Sequence, residues 1–138
     1  MAFVHELRVR YVECDMQGHA FNAHYVTWTD IAHTELWRAA VGPYAAFAAR
    51  GLEIVVAEVG ARFREGARFD DLVAIEVVLD PLTTTSMTSH HTMRRGPATL
   101  AQTWVRHVCV DAATHGKRPW PDDVRDAFAP HVVAPPTA

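Results

Sequence analysis

Residues 11–28, YVECDMQGHAFNAHYVTW, begin as a strand, pass through a turn and end as the first turns of a helix. An ordinary connector of this kind needs a glycine and a cap. This one holds Asp15, Gln17, Gly18, His19, Asn22 and His24 between positions 15 and 24. Upstream, FVHELRVRYV alternates, with Phe3, His5, Leu7, Val9 and Tyr11 on one face and Val4, Glu6, Arg8, Arg10 and Val12 on the other. That period predicts a half-buried strand over 3–12. Downstream, from Ala23 to Ala40, the period changes. Tyr25, Trp28, Ala32, Leu36 and Ala39 recur at helical spacing, while Thr27, Asp30, Thr34 and Arg38 share the opposite stripe. This is the longest helix of the chain, and its two aromatic residues make it a core element.

Beyond the helix, VGPYAAFAARG (41–51) reads as a loop in which Pro43 opens a short helix and Gly51 closes it. Four extended runs follow, at 52–63, 72–80, 84–95 and 98–111, separated by Gly66, Asp70-Asp71, Pro81 and Gly96-Pro97. Those breaks carry turn chemistry. Connections this short exclude parallel crossovers and predict antiparallel neighbours. The expected fold is α+β, a single antiparallel sheet packed on one helix. One domain is expected over 1–130, with a helical turn or two after Pro121 and a disordered tail over 131–138.

A net charge of −3 supplies no basic field for nucleic acid and no polybasic anchor for a membrane, so neither is an expected partner. The opening residues lack the apolar stretch of a secretory signal, which makes the cytoplasm the expected location. Cys14 and Cys109 form no CxxC pair or disulfide framework, in keeping with a reducing compartment. Nine histidines include no HxH and no HExxH, so no metal site is expected. The chain has no GxSxG elbow, no GxGxxG and no phosphate-binding GxxxxGK[ST] loop.

Asp15 stands where the first strand should stop. It reads either as a turn or cap carboxylate, or as a nucleophile or base beside a helix N-terminus whose unpaired N–H groups hold a developing oxyanion. Gly18 fits a positive φ or a close backbone approach. Asn22 is the expected N-cap of a helix beginning at Ala23. His19 and His24 either position a substrate or satisfy nearby backbone groups. Tyr25 and Trp28 are expected to pack under the sheet. Cys14 lies between Glu13 and Asp15, whose charges oppose a thiolate, and reads as a buried, inert thiol.

The stretch RVRYVECDMQGHAFNAHYVTWTDIAHTELW (8–37) resembles the signature of the 4-hydroxybenzoyl-CoA thioesterase-like branch of the hotdog-fold superfamily. The matching features are a strand ending in aromatic-x-Glu-x-Asp, then x-x-Gly-His-x-x-Asn-x-x-Tyr, then a helix carrying an acidic residue and a Thr-Glu pair. The segments VVAEVGARFREGARFDDLVAIEVVL (55–79) and HVCVDAATHGKRPWPDDVRDAF (107–128) are also similar to that branch. The resemblance implies a hotdog fold, a five-stranded antiparallel sheet wrapped around one long central helix. It implies a homodimer with a continuous sheet, often assembled into a tetramer, and hydrolysis of acyl-CoA or acyl-carrier-protein thioesters. Asp15 would be the nucleophile or general base, with backbone N–H groups near Asn22 and Ala23 polarising the thioester carbonyl. No cofactor is implied, since CoA is part of the substrate. The chain departs from the pattern at His24, where many relatives have Asn, and at His33, where many have Arg.

Gln17, Gly18, His19 and Tyr25 are the substrate-binding candidates of the junction. In TTSMTSHHTMRR (84–95), Ser86, Thr88 and His90 fall on one face by two-residue alternation. That face either lines a partner subunit's site or belongs to an edge strand kept soluble by polar side chains. Arg62, Arg64, Arg94 and Arg95 are the candidates to hold CoA phosphates, because a guanidinium suits phosphate bidentately. A non-catalytic module that binds or senses acyl-CoA is the alternative function; the aspartate weighs against it, since binding alone needs no carboxylate beside a polarised carbonyl.

Overall fold

The sheet is built around helix α1 (Asn22–Ala40), which buries Trp28, Ala32 and Leu36 almost completely. A computed structural model describes residues 1–133. Five strands, β1 (Phe3–Arg8), β2 (Leu52–Phe63), β3 (Leu72–Leu79), β4 (Ser86–Arg95) and β5 (Ala98–Asp111), form one antiparallel sheet in the order β1-β3-β4-β5-β2. The short helix α2 (Tyr44–Ala48) links α1 to β2, and α3 (Asp122–Phe128) follows β5. Val73, Ile75, Val77 and Leu79 of β3 alternate inward to join Met87, Met93, Leu100 and Cys109 in one core with the helix. The expected α+β architecture, a five-stranded antiparallel sheet wrapped on a long helix, is the one observed. Among the described residues, no helix is long and apolar enough to cross a membrane.

Three expectations about the elements are corrected. The first strand stops at Arg8 instead of continuing to Val12, and Tyr11–Glu13 form a 3-10 turn that leaves Tyr11 exposed. The cause is local: Glu13 draws the Arg10 N–H onto its own carboxylate at 2.8 Å, which bends the chain out of the sheet. Ala39 is exposed, because the apolar stripe continues from Leu36 to the buried Trp37 instead. The third correction concerns pairing. β3–β4 and β4–β5 are hairpin neighbours as expected, but β2 does not pair with β3. β3 is already flanked by β1 and β4, so β2 closes the far edge on β5, from Leu52↔Asp111 to Phe63↔Ala101. Residues 64–71 therefore carry the chain from one side of the sheet to the other past the start of α1, where Ala20 N–H donates to the Ala67 carbonyl at 2.8 Å. β4 is thus an interior strand, and the edge-strand reading of its polar residues does not apply.

β2 contains a bulge at Ala57: Val56 pairs with His107 and Glu58 with Arg106. The extra residue resets the two-residue alternation. Before it, Leu52, Ile54 and Val56 share a face; after it, Val59, Ala61 and Phe63 continue that same face. Phe63 meets the buried Tyr25 ring at 5.2 Å, which identifies the face as the helix side. On the outer side, Arg62 lies over the Trp104 ring at 5.7 Å.

At the end of the described chain, Ala129–His131 form a 3-10 turn and Val133 N–H donates to the Leu79 carbonyl at 2.9 Å. The remainder of the expected disordered tail, 134–138, lies outside the described residues. Deleting Ala57 leaves Val56↔His107 and Glu58↔Arg106 as consecutive pairs with every side chain on its present face, so we expect a loss of stability of no more than about 1 kcal/mol, read by denaturant unfolding. Replacing Ala57 by Ser keeps the count of residues and should leave stability unchanged within about 0.5 kcal/mol.

Candidate active site

The site starts from a tight reversal. Cys14 and Ala20 form an isolated antiparallel bridge, Asp15 N–H donates to the His19 carbonyl at 2.9 Å, and Gly18 N–H donates to the Asp15 carbonyl at 3.0 Å. Gly18 closes the turn at φ +79°, a conformation that favours glycine. Within the turn, Gln17 N–H donates to Asp15 Oδ1 at 2.9 Å. Asp15 is therefore the turn carboxylate that residue chemistry suggests, and the same hydrogen bond fixes the orientation of its carboxylate.

The reversal is tied to the helix by Glu13. This residue is 3% exposed; its Oε2 accepts the Trp28 indole N–H at 2.8 Å, and its Oε1 accepts the Arg10 N–H. Burial opposes a charge on Glu13, but the Arg10 N–H, the Trp28 indole and the Arg10 guanidinium together hold its carboxyl below the usual range. On the chain's next pass, Phe21 N–H donates to the Glu13 carbonyl at 2.8 Å. These bonds set Phe21 at φ −62° and ψ 138°, and helix α1 starts directly after it. Asn22 is consequently the first helical residue and not the N-cap; Phe21 occupies the cap position and makes no side-chain cap hydrogen bond. The His24 N–H turns back to the Phe21 carbonyl at 2.9 Å. The N–H groups of Asn22 and Ala23 are left among those that a helix start cannot satisfy internally, at the positive end of its dipole.

Asp15, Gln17, His19, Asn22 and Tyr25 line one depression of about 340 Å3, together with Phe63 and Arg64. Gly18 borders Asp15 on its other side, in a second hollow with Cys14 and the exposed Met16 and Phe69. Ala23 is exposed on the first turn of α1. Tyr25 is 3% exposed, and its Oη accepts the Ala67 N–H at 2.9 Å, so it packs and anchors the 64–71 crossing while bordering the site. His19 lies against Gly66, where a methyl group would come within 2.7 Å of the ring. Cys14 is half-buried rather than buried.

The remaining candidates do not converge on Asp15. Arg62 and Arg94 are exposed, Arg62 over Trp104 and Arg94 at 3.9 Å from Glu76. Arg95 is held by Asp71 at 2.8 Å and Glu65 at 3.6 Å, an arrangement that braces the crossing. Ser86 is engaged with Thr83 at 2.6 Å, and His90 with Asp80 at 3.0 Å. With Thr88 they share the outward face of β4, while Met87, Ser89, His91 and Met93 face inward. Of the four arginines only Arg64 borders the depression.

Two groups escaped the sequence reading. Glu13 reads as half of a motif, and only the indole N–H of Trp28, which needs an acceptor once buried, signals its role. His33, His91 and His107 are 3%, 1% and 5% exposed, with His33 and His107 stacked at 4.1 Å. Burial, with His107 and His91 nearby, pushes His33 well below the ordinary imidazole value; burial takes His91 to about 3 and His107 to about 4. The inward parity of β4 and β5 was the available signal.

Two stability tests follow from this geometry. Glu13→Ala strands the Trp28 and Arg10 N–H groups and should cost about 2–3 kcal/mol in denaturant unfolding. The three imidazoles are neutral when folded and take up protons readily when unfolded. Stability should therefore decline as pH falls below about 6.5, by on the order of 1 kcal/mol per pH unit for each, in thermal melts across that range.

The profile of the thioesterase-like superfamily matches residues 9–128. A protein of Aquifex aeolicus (strain VF5) is 24% identical over 110 residues, 80% of this chain and 86% of its own. Among solved structures, the dynemicin thioesterase superposes with a TM-score of 0.90 at 23% identity, covering 98% of this chain and all of its own. A 1,4-dihydroxy-2-naphthoyl-CoA thioesterase from Synechocystis gives 0.85 at 14% identity, covering 93% and 96%. The fold they share with this chain is the hotdog fold. The match spans both the junction that carries Asp15 and the sheet that wraps α1, and the chain belongs to the thioesterase-like superfamily and with it to the thioester hydrolases.

Proposed function

We propose that this chain hydrolyses acyl thioesters of CoA or of an acyl-carrier protein, with Asp15 as the reacting carboxylate. One observation carries the reading: an oriented carboxylate and the uncapped start of helix α1 border the same depression. A thioester carbonyl oxygen placed against the Asn22 and Ala23 N–H groups gains an oxyanion site worth roughly two to three orders of magnitude per donor. With Oδ1 held by Gln17, Oδ2 is the oxygen presented for chemistry.

Two routes fit this arrangement. In the first, Asp15 attacks the carbonyl carbon, the C–S bond breaks, the thiolate takes a proton from solvent, and water hydrolyses the resulting anhydride. In the second, Asp15 takes a proton from water as that water attacks, and collapse of the adduct expels the thiolate, which receives the proton. Neither route calls on a cofactor. Gln17, His19, Tyr25 and Arg64 border the substrate in this reading, Arg64 as the cation for the CoA phosphates. The pattern around Asp15, Gly18, His19, Asn22 and Tyr25 favours the 4-hydroxybenzoyl-CoA thioesterase-like branch.

A second copy is part of the proposal. β2 offers a twelve-residue edge paired on one side only, and such an edge invites a partner strand. Pairing there gives a dimer with a continuous sheet, and further pairing gives a tetramer. The outward-facing Ser86, Thr88, His90, Arg62 and Arg94 would then serve only a site on another copy.

Asp15→Asn keeps the acceptor for Gln17 N–H and hence the turn. Thiol release from a panel of acyl-CoAs should fall about a thousandfold or more, with binding of a thioether analogue retained. Near-normal hydrolysis by this variant would sink the mechanism, and binding without turnover in the native protein would establish the non-catalytic alternative. Phe21 already has the extended geometry that precedes proline, so Asn22→Pro removes one amide donor without breaking the helix. We expect Asn22→Pro to lower kcat about a hundredfold, and Asn22→Ala, which keeps that donor, to be much milder.

A further inference from the structure

Helix α1 and the edge strand β2 leave a groove between them whose Val26 and Val59 follow, on the helix and on the strand, from Tyr25 and Phe63, the ring pair that borders the Asp15 depression. Farther along, Val26 and Asp30 of the helix face Val56 and Val59 of the strand, over a floor of Thr29, Val105 and His107. The groove then widens into a cavity of about 560 Å3 that shares Asp30, Val56 and His107 and adds His33, Trp37 and Tyr44. Val26, Val56 and Val59 are 40–57% exposed although the bulge turns the two strand residues toward the helix. The walls are open and, apart from the exposed Asp30 carboxylate, apolar.

The inner end has a different chemistry. His33 Nε2, Trp37 Nε1 and His107 Nδ1 are buried without a hydrogen-bond partner. Burying three polar atoms in this way costs stability unless something supplies their partners. An indole N–H only donates, so Trp37 calls for an acceptor oxygen, while neutral imidazoles take either role. Burial keeps His33 and His107 uncharged, and the Arg38 guanidinium at the rim is already paired with Glu35. The end therefore suits a neutral oxygen better than a carboxylate. Its distance from the Asn22–Ala23 amides is set by the helix: the ten residues from Ala23 to His33 rise about 15 Å. A single aromatic ring held at those amides does not reach that far.

We propose that this groove holds the acyl chain of the substrate and that the His33–Trp37–His107 end recognises an uncharged hydroxyl or keto oxygen far down that chain. The substrate class is an oxygenated medium- to long-chain acyl thioester. The proposal rests on the thioester reading of the Asp15 site, whose amides set the starting point of the chain.

The test compares plain alkanoyl-CoAs from acetyl to dodecanoyl, their ω-hydroxylated counterparts and benzoyl-CoA by thiol release, alongside binding of the corresponding non-hydrolysable thioethers. We expect kcat/KM for the best hydroxylated chain to exceed that of its plain counterpart about tenfold, mostly through KM, the worth of one hydrogen bond. Trp37→Phe retains the ring against Phe47 and Phe128 and removes the donor; the preference should disappear in this variant. Val59→Trp, at a 45% exposed position, should lower the dodecanoyl-to-acetyl ratio of kcat/KM by narrowing the groove. Equal kcat/KM for plain and hydroxylated chains at every length, or a preference for benzoyl over all alkanoyl chains, overturns the proposal and leaves the thioesterase reading standing. A Val59→Trp variant with altered mass in light scattering and an unaltered chain preference also overturns it, assigning the groove to a second copy. Tighter binding of the hydroxylated thioether, with no thiol released from any thioester, supports the groove and removes the catalytic reading.

Discussion

The hydrogen bond from the Trp28 indole to the buried carboxylate of Glu13 is the constraint on which the site depends. It joins a residue in the second turn of the central helix to the 3-10 turn that ends the first strand. Glu13 also collects the Arg10 N–H, and its carbonyl accepts the Phe21 N–H. One residue thereby sets where the strand stops, where the reversal begins and where the helix starts. The carboxylate remains charged in near-complete burial because three donors replace its water, a balance that fails if any partner is removed. Asp15, two residues farther on, inherits its place relative to the helix amides from this anchor.

A second constraint acts from the other end of the sequence. The 64–71 crossing passes the start of α1 and is held there by Tyr25 and by the bond between Ala20 and Ala67. Arg95 braces it through Asp71 and Glu65. An arginine that reads as a phosphate ligand is thus spent on structure, held by two carboxylates of the crossing. The crossing brings Phe63 and Arg64 to the Asp15 depression and delivers β3 to the opposite side of the sheet from β2. The site is composed from segments about fifty residues apart, although its chemistry lies in one short stretch.

The bulge at Ala57 has a comparable role on the strand side. Were the same residues to run in unbroken alternation, Val56 and Val59, three apart, would face opposite sides, and the groove along α1 would lose one wall. With it, β2 presents an apolar helix-side surface over its whole length while its outer side carries Glu58 and Arg62. The helix side of the sheet is packed on α1 chiefly by β3 and β5 and left open toward β2, where Val56 and Val59 stay exposed.

By itself the sequence determined the elements. Periods of two and of three to four residues marked β2–β5 and α1 nearly to their ends, because those patterns follow from which side chains a strand or helix can bury together. It also determined the chemistry of the junction, since an aspartate, a left-handed glycine and a helix start in succession are local facts. Tertiary structure decided what depends on partners distant in the chain. Strand order was hidden because β2 pairs with β5 across some forty to sixty residues, and pairing is settled by which edges remain free. Alternation pairs His91 with Met87 and Met93, and sets Ser86, Thr88 and His90 on the other face, but packing against α1 decided which face turned inward; the separation of Arg62 and Arg94 from Asp15 follows from the strand order. The start of α1 at Asn22 instead of Ala23 has the same origin: the hydrogen bonds that fix Phe21 and Ala20 come from Glu13 and Ala67, which no local pattern can supply.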